Sequence, residues 1–186
     1  MAGAASGWLQ HLIVYLHSSA FNEVWFQNLV LAVTAAIAIF TLRSSSRHER
    51  RRATVDVVLD QLKDDSLVKA RLLVRNLKNS PGGIDSQAIL VPPDSPQQQA
   101  FFTVLNSYEF IATGLKTGAF DKKTYKRIYY NNVLDNWVIL EDFVLRYREK
   151  YRKEHGPALG HKADTLFQDF EHLAEKRRKH PLKSLK

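Results

Sequence analysis

Cysteine is absent from the 186 residues. That removes disulfides, thiolate zinc sites and thiol catalysis together. Glycine numbers 8 and proline 6, too few for a collagen-like or low-complexity chain. Basic residues are missing from the first 42 positions, where Glu23 is the one charged side chain among Asp, Glu, Lys and Arg. All 27 lysines and arginines lie at or after Arg43, together with 18 of the 19 acids, and the net charge is +8. A secretory signal peptide is disfavoured, because the first 22 residues offer no basic n-region. The mean hydropathy of −0.30 resembles a soluble protein, but it averages over two unlike parts.

The first part holds 19 uncharged residues, Val24 to Leu42, of which ten are Leu, Ile, Val or Phe. As a helix the run would be about 28 Å long at ~1.5 Å per residue, close to the ~30 Å hydrocarbon core of a bilayer. Those ten side chains favour insertion by roughly 3 to 6 kcal/mol. Gln27 and Asn28 oppose it near one end, beside Trp25 and Phe26, which suit a membrane interface. The alternative is the buried helix of a soluble core, although such a helix usually carries a polar face.

Arg43, Arg47, Arg50, Arg51 and Arg52 crowd the C-terminal flank. The positive-inside rule then places the N-terminal side outside and the larger part in the cytoplasm. The same arginines can rest on anionic headgroups, although a plain stop-transfer flank would look the same. Trp8, Leu9, Leu12, Ile13 and Leu16 share a helical face in residues 8–17, which is too short to span and suggests an interfacial helix.

The rest reads as helices. Val55, Val58, Leu59 and Leu62 keep helical spacing, and the first helix can continue to about Lys63. Asp64-Asp65-Ser66 opens a second helix, with Leu67, Val68, Leu72, Leu73 and Leu77, which Asn79-Ser80-Pro81-Gly82-Gly83 stops. Gly82-Gly83 lacks the following Lys-Ser or Lys-Thr of a phosphate loop. Ser95 caps a helix with Pro96 at its first position, and Gly118 ends it. Phe101, Val104, Leu105, Tyr108, Ile111, Ala112 and Leu115 form its apolar stripe. Asp121 caps the next helix near Lys122, with Tyr125, Ile128 and Tyr129 on its apolar side. A break is expected near Asn131-Asn132. Trp137, Leu140, Phe143, Val144 and Tyr147 then point inward until Gly156-Pro157. A last helix runs from about Ala163 to Lys179, with Leu166, Phe167, Phe170 and Leu173 inward. Ala88 to Val91 is the one short run that could be extended.

The expected fold is all-α: a single N-terminal transmembrane helix followed by a small cytoplasmic antiparallel helical bundle. The expected parts are an external segment at 1–23, the membrane helix at 24–42 and basic juxtamembrane helices at 43–78. A loop at 79–96, a helical domain at 97–180 and a basic tail at 181–186 follow.

Leu105-Asn106, Glu109-Phe110-Ile111-Ala112 and Gly114 form one pattern. Gly118-Ala119-Phe120-Asp121, Trp137 and Arg146 continue it. Over about 50 residues this resembles the bacterial domain-of-unknown-function 4760 family. The resemblance implies a membrane-anchored helical protein of bacteria or their phages with no assigned reaction. It supplies no catalytic residues.

Asn106 and Glu109 share a helix face, and with Trp137 and Arg146 they make a candidate polar cluster. It would be either a ligand pocket or a structural network in which Glu109 pairs with Arg146 or another donor. No His-x-x-x-His or Glu-x-x-His spacing exists, and His161 with Asp164 comes nearest to a metal pair. No Gly-x-Ser-x-Gly element supports acyl transfer. No cofactor and no enzyme activity are expected, against the alternative of an unrecognised helical active site around Glu109. Lys122, Lys123, Lys126 and Arg127 interleave with Tyr125, Tyr129 and Tyr130. Lys176, Arg177, Arg178, Lys179, Lys183 and Lys186 form a second basic cluster. Cations interleaved with aromatics can bind nucleic-acid strands, while inner-leaflet lipid accounts for the charge equally well.

The expected function is a non-enzymatic, membrane-anchored cytoplasmic interaction module of a bacterial inner membrane, with a phage- or stress-related role conceivable. Its partners would be the bilayer with its anionic headgroups, and a protein or a second copy of itself. A membrane-tethered binder of nucleic acid or a nucleotide is the alternative.

Overall fold

The computed structural model describes residues 19–81, 84–85 and 94–181, with backbone alone at 19–23 and 157–159. The expected interfacial helix at 8–17, the apolar run 88–91, part of the loop at 79–96 and the end of the basic tail lie outside them. Among the described residues there are five α-helices, a short 3-10 helix and no strand. These are α1 (Ser19–Lys63), α2 (Asp65–Asn79), α3 (Pro96–Thr117), α4 (Lys122–Gly160) and α5 (Gln168–Lys179), with the 3-10 helix His161–Thr165 before α5. The described part of the chain is all-helical, as the spacing predicts. It divides into two units between His48 and Glu49, within α1.

In the first unit, residues 24–42 are exposed along their whole length. The run is therefore not buried by the rest of the described chain. It is the one helix among the described residues long and apolar enough to cross a membrane. The hydroxyls of Thr34 and Thr41 donate to the carbonyls of Val30 and Ile37, both at 2.8 Å. Both threonine hydroxyls of the run are thus satisfied by their own helix.

The second unit is organised around α3. Its whole stripe, from Phe101 to Leu115, is buried. Ser95 caps α3 by accepting the Gln98 N–H at 3.1 Å, and Pro96 occupies the first turn, where its missing N–H costs nothing. Helix α2 packs on α3 with Leu67, Ala70 and Val74. Its start is fixed by Asp64, which accepts the N–H groups of Ser66 and Leu67. Helix α4 brings Phe143 to Phe101, with ring centroids 4.7 Å apart. Helix α5 inserts Phe170 between Tyr108, which stacks on it at 4.6 Å, and Trp137, which meets it edge-on at 5.1 Å. Aromatic pairs of this geometry add about 0.5–1.5 kcal/mol each beyond the area they bury.

The turn from α3 to α4 shows what the glycines of the sequence pattern do. Gly118 ends α3 with φ +82°, in the left-handed region that glycine adopts without strain. Phe120 folds back over Gly114, and a Cβ at 114 would overlap its ring. Asp121 then caps α4, accepting the Thr124 N–H at 2.8 Å and the Thr124 hydroxyl at 2.6 Å.

Three local expectations are corrected. On α1 the inward face holds Thr54 and Val58, with Val57 and Gln61 half-buried, while Val55, Leu59 and Leu62 are exposed. The break in α4 falls at Tyr129 rather than Asn131-Asn132, with a second at Gly156. Helix α5 starts at Gln168 rather than Ala163, because Phe167 takes a left-handed conformation at φ +58° that turns the chain.

Candidate functional site

Of the four residues of the polar cluster, two converge. Glu109 accepts the backbone N–H of Phe170 at 2.8 Å and of Asp169 at 3.2 Å. Trp137 packs on the ring of that same Phe170. Glu109 therefore caps α5 from a neighbouring helix, which the cap residue Phe167 cannot do with its own side chain. Burial raises the pKa of Glu109, and the two N–H bonds partly offset this. Arg146 is not its partner. That exposed side chain pairs with Asp142 on its own helix, Nε to Oδ2 at 3.0 Å. Asn106 is exposed. The cluster is not one pocket.

The arginine that joins α4 to α5 is Arg148, two positions further on. It is 8% exposed. It donates twice to the Leu166 carbonyl, at 2.7 and 3.0 Å, and to Glu171 at 2.9 Å. Helical spacing could have found it, since Arg148 extends the Trp137, Leu140, Val144 stripe by four residues.

Two residues from each basic cluster, Lys122 and Lys126 with Lys176 and Arg177, meet in a groove of about 520 Å³. Ala112 and Leu115 of α3 and Leu173 of α5 supply its apolar surface. Lys122 and Lys126 enter from the first turns of α4, and Lys116 from the end of α3. Helix α5 contributes Lys176 and Arg177. The one carboxylate in the lining, Asp169, is engaged by Lys116 at 2.6 Å and by the Thr113 hydroxyl at 3.0 Å. The Lys116 hydrogen bond lowers its pKa. Two side chains tie the start of α4 to the end of α5 here. Lys126 Nζ donates to the His180 carbonyl at 2.6 Å, and Tyr130 donates its hydroxyl to the Arg177 carbonyl at 3.1 Å.

The aromatics of this region are already engaged. Tyr125 and Tyr129 are buried and stack on each other at 5.4 Å. Burial raises the pKa of Tyr125, whose hydroxyl has no hydrogen-bond partner among the described residues. Neither ring offers a free face on which a nucleobase could stack.

The membrane-flank arginines, Arg43, Arg47, Arg50, Arg51 and Arg52, are all exposed on α1. Arg52 lies 3.8 Å from Asp56, an exposed pair of small energetic weight. Among the described residues no three His, Asp or Glu side chains gather as a metal site requires.

An all-helical domain with a cationic groove is thus the class the geometry defines. The chain matches the family described as Domain of unknown function (DUF4760) over residues 28–177, and it belongs to that family. No curated protein and no solved structure matches it.

Proposed function

We propose that the protein is a non-enzymatic interaction module anchored in the inner membrane of a bacterial cell. Residues 24–42 cross the bilayer once, the N-terminal side faces outward, and the helical domain works in the cytoplasm on a protein partner or a second copy. The observation that carries this reading is the exposed, uncharged run 24–42 followed at once by five arginines. A run of that length left unburied by the rest of the chain suits lipid as its solvent, and the one-sided cations suit retention on the cytoplasmic face. Glu109, the natural candidate for acid–base chemistry, is occupied as a helix cap, which favours a binding role over a catalytic one. The test is extraction of cell membranes with alkaline carbonate. The full chain stays in the membrane pellet, and the triple variant Val30→Asp, Val33→Asp, Ile37→Asp is released. Release of the unaltered chain would contradict the anchor.

A further inference from the structure

Two helices of the domain place an arginine on their inward stripe, and only one of the two is neutralised. Arg148 follows Trp137, Leu140 and Val144 on α4 and meets Glu171. Arg177 follows Phe170 and Ala174 on α5 and is just as deeply placed, at 5% exposed. Among the described residues no carboxylate meets it. Its guanidinium lies over the Tyr125 ring, 5.9 Å from the centroid. A buried cation without a counter-charge is unfavourable, and burial accordingly lowers the pKa of Arg177. Cation–π attraction offsets part of that cost.

Arg177 lines the groove, whose rim adds Lys122, Lys126 and Lys176. Lys176 is explained in part by the negative end of α5, where cations are favoured. Lys126 is engaged by the His180 carbonyl at that same end of α5, but Lys122 has no such explanation, since it opens the first turn of α4, at the positive end of that helix. A cation held at a helix N-terminus against its dipole, lining the same groove as a buried unneutralised guanidinium, forms a receptor for an anion. The aliphatic surface of Ala112, Leu115 and Leu173 between them suits an apolar body, and the groove's volume is that of a small-ligand site.

We infer that this groove binds a phosphate-bearing amphiphile, with the phosphate on Arg177 and the rim lysines and the apolar body along Ala112, Leu115 and Leu173. A phosphate ester presents the oxygens that an arginine fork recognises. The buried Tyr125 and Tyr129 rings disfavour a nucleic-acid strand. The site stands whether or not residues 24–42 cross a membrane.

The test is calorimetric titration of the full chain in one non-ionic detergent. The probe is dihexanoyl phosphatidic acid below its micelle concentration. Dihexanoyl phosphatidylcholine, inorganic phosphate and a short single-stranded oligonucleotide serve as comparators. The expected result is saturable binding of phosphatidic acid, with phosphatidylcholine and inorganic phosphate each at least about tenfold weaker. Arg177→Gln should weaken binding about 10- to 100-fold, the loss of a hydrogen bond to a charged group. Lys122→Gln, at an exposed position, tests the rim without risk to folding and should weaken it about two- to fivefold.

Thermal melting separates a ligand residue from a structural one. Arg177→Met should melt at or above the unaltered protein while losing the ligand. Inorganic phosphate binding as well as the lipid would overturn the amphiphile. Tighter binding of the oligonucleotide would make the groove a nucleic-acid site instead. Binding unchanged in both the Arg177 and Lys122 variants would remove the site from the groove.

Discussion

Glu109 on α3 accepts the amide N–H of Phe170 at 2.8 Å, and so holds the first turn of α5 in place from outside that helix. The same Phe170 is gripped by Tyr108 and Trp137, so one residue receives both the polar and the aromatic contacts that dock α5.

Removing the carboxylate should therefore act on stability. Glu109→Ala leaves the Phe170 and Asp169 N–H groups without an acceptor and should cost about 1–3 kcal/mol. Glu109→Gln keeps a carbonyl acceptor and should cost less. Thermal melts of the three proteins check this. A partner-binding defect in both variants at unchanged melting temperature would instead make Glu109 a functional carboxylate.

Two acids at this junction titrate in opposite senses. Burial raises the pKa of Glu109, so the folded state holds that proton more tightly than the unfolded one. Its contribution to stability therefore falls as pH rises through the window above 4.5. The pKa of Asp169 is lowered by Lys116, so its contribution is present above 3.8 and is lost as pH falls below that value. Accordingly, Glu109→Gln should gain on the unaltered protein as pH rises from about 4.5 to 7. Asp169→Asn should be least harmful at the acid end. Melting curves across pH 3–7 read both slopes.

The first helix is tied to the α3–α4 turn at one point. Thr54 is fully buried, donates to the Arg50 carbonyl at 2.7 Å, and accepts the Asp121 N–H at 2.7 Å. Thr54→Val keeps the volume and leaves that N–H unpaired, for an expected loss of about 1–3 kcal/mol. Denaturant unfolding should show a lower midpoint with an unchanged slope. An unchanged midpoint would mean that water replaces the hydroxyl.

The fold was legible where a helix speaks for itself, and less so where two helices meet. The α3 stripe, the Ser95-Pro96 start and the Gly118 stop follow from spacing and backbone preference alone. The inward face of α1 did not, because its most deeply buried residue is Thr54, chosen for a hydrogen bond and not for hydrophobicity. Phe167 is an aromatic in a left-handed turn, which no local preference announces. Glu109 could be recognised as a residue needing donors. That the donors are the N–H groups of a helix 60 residues away depends on tertiary packing. Arg146 stands out in the sequence only by its place in a family pattern, whereas Arg148, on the buried stripe, carries the contact to Leu166 and Glu171. The groove was the least legible feature, because its lysines come from segments that only the folded chain brings together.

The arginine flank should be read by lipid charge. Replacing Arg47, Arg50, Arg51 and Arg52 with Gln should weaken attraction to anionic headgroups by about 1 kcal/mol per charge near the surface. The effect should fade as salt shortens the screening length from ~10 Å at 0.1 M to ~3 Å at 1 M. Flotation of the fragment from residue 46 onward on vesicles with and without anionic lipid measures it. Flotation insensitive to both salt and substitution would assign these arginines no role at headgroups.

The absence of cysteine allows the membrane orientation to be tested on an otherwise unaltered chain. Single cysteines are placed at Ser6 and at the exposed Lys162, one on each side of the run 24–42. Intact cells, with the outer layer made permeable where there is one, are treated with a membrane-impermeant maleimide. An anchored module with its helical domain in the cytoplasm requires labelling at position 6 and protection at 162 until the inner membrane is opened. Labelling at 162 in intact cells, with protection at 6, would reverse the orientation, and labelling at both would contradict the single membrane crossing.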